Sequence, residues 1–123
     1  YNTALQTVAS GSPLALNANL INSTGSITAS GTTGVTLAAG QYLVTFATDA
    51  GVTDAGTLGA SLALDGTALP YAETTKTLTA AGVDRIALTS IIAPTASSTL
   101  TVLNTTGSTD TYQNSTLTVV KLA

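Results

Sequence analysis

The residues that usually do chemistry are scarce in this chain of 123 residues, which has no His and no Cys. That removes the ordinary general base at neutral pH, the thiolate nucleophile and the soft metal ligands. A Ser-His-Asp triad cannot be assembled. Six carboxylates remain, with three cations: Lys76, Arg85 and Lys121. Asp49 and Asp54 flank Gly51-Val52-Thr53 in what reads as a loop, and together they could help to ligate Ca²⁺. Calcium takes six to eight oxygens, and this stretch lacks EF-hand spacing, so a solvated loop is the favoured reading. No catalytic, cofactor-binding or metal site is assigned, and a pair of carboxylates set for glycoside hydrolysis is a minor reading.

The remaining polar features read as structure. Asp84 and Arg85 are neighbours, so on a strand they point to opposite faces. Arg85 is expected to meet another carboxylate at the rim, and Glu73 to pair locally with Lys76, each worth under about 1 kcal/mol. Gly31–Gly40 carries glycines but no Lys and no following helix, so it is not a phosphate loop. Asn22-Ser23-Thr24, Asn104-Thr105-Thr106 and Asn114-Ser115-Thr116 fit the N-glycosylation pattern, as chance allows in a chain this rich in Asn, Ser and Thr. Tyr71 and Tyr112 fall near loops, where partly buried packing is favoured over stacking on a sugar.

The bulk numbers exclude whole classes of partner. Charged residues are 7% of the chain and the net charge is −3, while hydrophobic residues are 44%. Nucleic-acid binding needs clustered Lys and Arg and is excluded, as is docking on anionic membranes. No apolar run approaches the roughly 18 residues of a membrane-inserting helix. Enough apolar residues exist for one folded domain over 1–123. The first residue is Tyr1 rather than Met, which leads to the expectation of a fragment of a longer chain.

The elements that must carry these residues read as strands. Thr, Val and Ile suit a pleated surface, and Gly or short polar clusters interrupt the chain every ten residues or so. The expected strands lie near Leu5–Val8, Ser26–Ser30, Val35–Leu37, Gln41–Thr48 and Ser61–Leu64, with a short extended piece near Thr74–Leu78. Three more follow near Arg85–Ile92, Ser98–Asn104 and Ser115–Leu122. Asp65-Gly66 is a strong hairpin signal, because a type I′ turn needs positive φ at both positions. The N-terminal third is poorer in large apolar residues and is expected to form short strands at the rim. In Gln41–Thr48, Tyr42, Val44 and Phe46 share one face, which should fill the core, and Leu43, Thr45 and Ala47 share the other. Near the C-terminus, Leu117 and Val119 oppose Thr116, Thr118, Val120 and Leu122. Neither face of either strand is clearly water-loving, and such a sheet needs a cover on both sides. In so short a chain, a second copy is the expected cover.

Three stretches resemble a known family. Gly34–Thr48, GVTLAAGQYLVTFAT, is similar to the entry into the long central strand of tumour-necrosis-factor/C1q-like jelly rolls. Ala80–Ile91, AAGVDRIALTSI, is similar to their Gly-Asp turn and strand, although Val83 separates Gly82 from Asp84. Leu117–Ala123, LTVVKLA, resembles their closing strand. The low charge, the Thr/Ala/Gly richness and the final V-K-L-A resemble the C-terminal heads of bacterial collagen-like surface proteins, of the BclA type found on spore exosporia. The resemblance implies an all-β, two-sheet antiparallel jelly-roll sandwich that forms a homotrimer at the tip of a collagen-like stalk. It implies a trimer interface at Leu43, Thr45, Ala47, Thr118 and Val120. It also implies a non-enzymatic head that nucleates trimer assembly on an extracellular surface, the spore exosporium or the cell surface. The alternative is a tip that binds a host receptor or a glycan, for adhesion or in a phage fibre, with the loops around Asp49–Gly59 and Asn104–Gln113 as its candidate surface.

Overall fold

The computed structural model describes residues 1–18 and 25–123. Among the described residues nine strands form, all paired antiparallel, and there is no helix. They are β1 (Gln6–Val8), β2 (Ile27–Ser30), β3 (Gly34–Leu37), β4 (Tyr42–Val52), β5 (Gly56–Leu64), β6 (Thr67–Leu78), β7 (Gly82–Ile92), β8 (Ser98–Leu103) and β9 (Asp110–Lys121). One sheet has the order β1-β9-β4-β7 and the other β2-β3-β8-β5-β6.

The topology is a rolled-up hairpin. Its tip is Asp65-Gly66, with φ of 51° and 83°, the positive values that the turn requires. From that tip the pairs nest outward: β5 with β6, β4 with β7, β3 with β8, and β1 with β9. Alternate pairs fall in opposite sheets, so the folded ribbon wraps around one core as a jelly roll. The three most N-terminal strands are the shortest, as their sparse apolar content foretold. Isolated bridges at Asn2–Ser115 and Pro13–Leu103 tie the segments between them to the sheets.

Several strands run longer than the sequence suggested, β7 and β9 at their N-terminal ends among them. Thr74–Leu78 is the end of the twelve-residue β6, Ser61–Leu64 belongs to the nine-residue β5, and Asp49 lies within β4 rather than in a loop. The polar stretch Thr67–Leu78 pairs as an edge strand, with Pro70 tolerated there. An irregular register between Ser61 and Ala63 absorbs its extra length.

The expected core face of β4 is observed. Tyr42, Val44 and Phe46 are fully buried, and Leu37, Leu58, Leu62, Leu100 and Val102 close on them from the opposite sheet. Leu117 and Val119 of β9 pack against the same core. The two buried tyrosines each find an acceptor: Tyr42 Oη donates to the Ala38 carbonyl at 2.8 Å and Tyr112 Oη to the Gly59 carbonyl at 2.7 Å. Tyr112 is therefore core, and burial holds its phenol well above the usual range. Gly59 must stay bare, because a Cβ there would lie 2.8 Å from the Thr74 carbonyl oxygen.

Phe46→Ala should cost about 3–5 kcal/mol of unfolding free energy, since it removes the largest apolar side chain of the central strand. Tyr112→Phe should cost about 1–3 kcal/mol by leaving the Gly59 carbonyl unpaired inside the sandwich. Urea denaturation followed by circular dichroism measures both, and Tyr112→Phe at wild-type stability would show that the hydroxyl is dispensable.

Candidate functional site

The outward face of β1-β9-β4-β7 brings together the residues that the sequence assigned to an interface. Opposite neighbours across β9, β4 and β7 form rows. Val120, Leu43 and Ile91 make the first, Thr118, Thr45 and Thr89 the second, and Thr116, Ala47 and Ala87 the third. Thr45 and Thr118 are exposed, and Leu43 and Ala47 are partly buried among their neighbours. Ile91, Val120 and Leu122 are large apolar side chains about half exposed, at 58%, 49% and 50%, so the first row is left in water by a single chain. Ile91 belongs to this surface although sequence reading did not single it out. The strand period alone puts it level with Leu43 only once the β4–β7 register is known.

Below the third row the face turns polar, and a bulge is the cause. Between Ala47 and Asp49 the β9 partner steps from Thr116 to Gln113, one residue more than β4 advances. Asn114 takes a positive φ of 54° at this step. The bulge turns Ser115 inward, where its hydroxyl meets Thr48 Oγ1 at 2.8 Å. It turns Asn114 outward, where Nδ2 donates to Asp49 Oδ2 at 3.0 Å. Arg85, directly opposite Asp49 on β7, donates to Asp49 Oδ1 at 3.0 Å.

Both oxygens of Asp49 are thus engaged. The Asn114 amide, followed by the Arg85 guanidinium, holds its carboxyl below the usual carboxylate range. Asp54 sits in the β4–β5 loop and lines a shallow pocket of about 210 Å³ with Val52, Ser108 and Thr109. The structure therefore does not join Asp49 and Asp54 into a calcium site. Among the described residues no three His, Cys, Asp or Glu side chains cluster as a metal would require.

The other polar expectations divide. Arg85 pairs with a carboxylate as expected, but Lys76 pairs with Asp84 rather than with Glu73. Residues 73 and 76 are three apart on one strand and so face opposite ways, whereas Lys76 reaches from the edge of one sheet to the edge of the other. The Lys76 ammonium holds the Asp84 carboxyl below its usual range. Asn104 is fully buried, and its Nδ2 donates to the Val8 and Ser108 carbonyls, so its pattern match is a structural device and not an open glycan acceptor. Asn114 is exposed, and Asn22-Ser23-Thr24 lies outside the described residues. Tyr71 is 64% exposed on the edge strand β6, which departs from the partly buried packing expected of it, because no neighbouring strand covers that side of β6.

The Asp49 carboxyl, depressed in the fold, contributes stability above its unfolded value of about 4 that is lost as pH falls through its folded value. The difference in melting temperature between wild type and Asp49→Asn should therefore shrink on acidification below pH 4. Melting curves from pH 2 to 7 measure it, and a difference constant across that range would show that Asp49 is not held by charge.

No family model matches the chain, and no curated protein matches it. Among solved structures it is similar to the Podospora anserina GH26-CBM35 β-(1,4)-mannanase, at 11% identity and a TM-score of 0.40, over 98% of this chain and 29% of that one. It is also similar to the carbohydrate-binding module CBM36 in complex with calcium and xylotriose, at 17% identity and a TM-score of 0.38, over 94% of this chain and 99% of that one.

Proposed function

We propose that the protein is a non-enzymatic, self-associating head that forms a homotrimer through the outward face of β1-β9-β4-β7 and stands on an extracellular surface. The observation that carries this reading is the row in which Ile91 and Val120, about half exposed, flank the partly buried Leu43, with the half-exposed Leu122 beside it. Beneath it, the Thr and Ala rows carry no charge, so a copy of the same face meets no like-charge repulsion. Small side chains let backbones approach closely, and Thr hydroxyls can pair across the seam. The five sequence-assigned residues Leu43, Thr45, Ala47, Thr118 and Val120 share this face and suit an axis between subunits.

A trimer has a use at the end of a collagen-like stalk. Three polyproline-II chains must be aligned before they wind, and a trimeric head raises their effective concentration. The resemblance to BclA-type heads supports a place on a spore exosporium or cell surface. Binding of a host receptor or a glycan is the second reading, favoured by the exposed ring of Tyr71 on the edge of the other sheet.

Sedimentation velocity at micromolar concentration should show a trimer. Val120→Asp and Ile91→Asp should each give a folded monomer, because association would bury an unpaired carboxylate. A monomeric wild type, or aspartate variants that remain trimeric, would reject the reading.

A further inference from the structure

Asp110 opens β9 at the end of the sandwich away from Val120, and it is 1% exposed. Over it folds the β8–β9 connection, residues 104–109. Asn104 organises that loop by accepting from the Thr106 backbone N–H at 3.0 Å and from the Thr106 hydroxyl at 2.8 Å. Gly107 N–H donates to Ser10 Oγ at 3.0 Å. Asp110 is held less well. Its Oδ1 accepts from Ser108 Oγ at 3.2 Å, while Oδ2 is buried with no hydrogen-bond partner among the described residues. Thr105 Oγ1, in the same loop, is buried and unpartnered too.

No cation is near enough to compensate a charge there. Lys76 is engaged by Asp84, Arg85 by Asp49, and Lys121 by Ser26 Oγ. The titratable group that interacts with Asp110 is Tyr112 on its own strand, while Asp54, from the β4–β5 loop, lines the neighbouring pocket with Ser108 and Thr109. The paired segment of β1 and the 104–109 loop contribute none. Every neighbour is therefore neutral or acidic. Burial outweighs the opposing hydrogen bonds from Ser108 and Thr106 and pushes the Asp110 carboxyl above its usual range.

We propose that residues 104–109 form an acid-closed latch, shut over a protonated Asp110 and released when that proton is lost. An ionised carboxylate sealed under the loop has no partner for Oδ2, and opening the loop hydrates it. The closed form binds the proton, so closure is complete below the ordinary carboxylate value of about 4 and is lost as pH rises through the elevated folded value. Ser108 and Thr109 form one wall of the pocket whose other wall is residues 52–56. Opening therefore reshapes the tip of the domain and leaves the Leu43–Ile91–Val120 row untouched.

Amide hydrogen exchange followed by NMR, corrected for intrinsic rates, tests this on the whole chain. Protection at Thr106 and Gly107 should fall at least tenfold between pH 4 and pH 8, with a midpoint equal to that of the Asp110 carboxyl ¹³C titration. In Asp110→Asn the protection should stay high and flat across the range. Wild-type protection that does not change with pH, or an Asp110 titration that leaves those amides unaffected, would overturn the proposal. The wild-type measurement decides the matter even if the variant fails to fold.

Discussion

The inward face of β4 is the constraint on which the rest of the molecule rests. It is hydrogen-bonded on both sides, to β7 over its whole length and to β9 across a bulge, and it sends Tyr42, Val44 and Phe46 into the core. Those side chains are the thickness of the sandwich. Burying each large apolar group contributes about 1.5–3 kcal/mol, and the second sheet exists largely to cover them. In a chain with so few charges there is no other strong source of order, and surface pairs such as Arg85–Asp49 add little.

A strand paired on both sides alternates strictly, so what fills the inside also dictates what is left outside. With Tyr42, Val44 and Phe46 inward, Leu43, Thr45 and Ala47 have to face out. The register then sets Val120, Thr118 and Thr116 against them on one side and Ile91, Thr89 and Ala87 on the other. The candidate interface is thus the obverse of the core. The bulge at Asn114 ends the regular rows and converts the next one into the Asp49–Arg85–Asn114 cluster. It marks where the charge-free rows give way to a polar cluster, beyond which Val83 is again exposed.

The two ends of the sandwich differ in kind. The Leu43–Ile91–Val120 end is closed by strand termini and carries exposed aliphatic groups. The other end is closed by loops and hides Asp110 and Asn104, one without full satisfaction and the other with it. Buried polar groups fix a unique loop conformation when fully bonded and leave it conditional when not. Asn104 and Asp110, six residues apart, illustrate both cases within one connection.

Much of this was legible in the amino-acid sequence. Alternation in Gln41–Thr48 identified the core and outer faces, because a strand has period two whatever lies beside it. Asp65-Gly66 announced the tip of the rolled hairpin, because few dipeptides accept two positive φ values. The lack of His and Cys removed the usual catalytic side chains. Other features existed only in the folded chain. Ile91 joined the outer row through the β4–β7 register, and Lys76 found Asp84 across the gap between sheets. Asn104 and Asp110 became interior groups although their neighbours in sequence are polar. Each of these depends on which strand lies next to which, a matter of contacts between residues far apart in the chain, and local period and propensity hold no record of them.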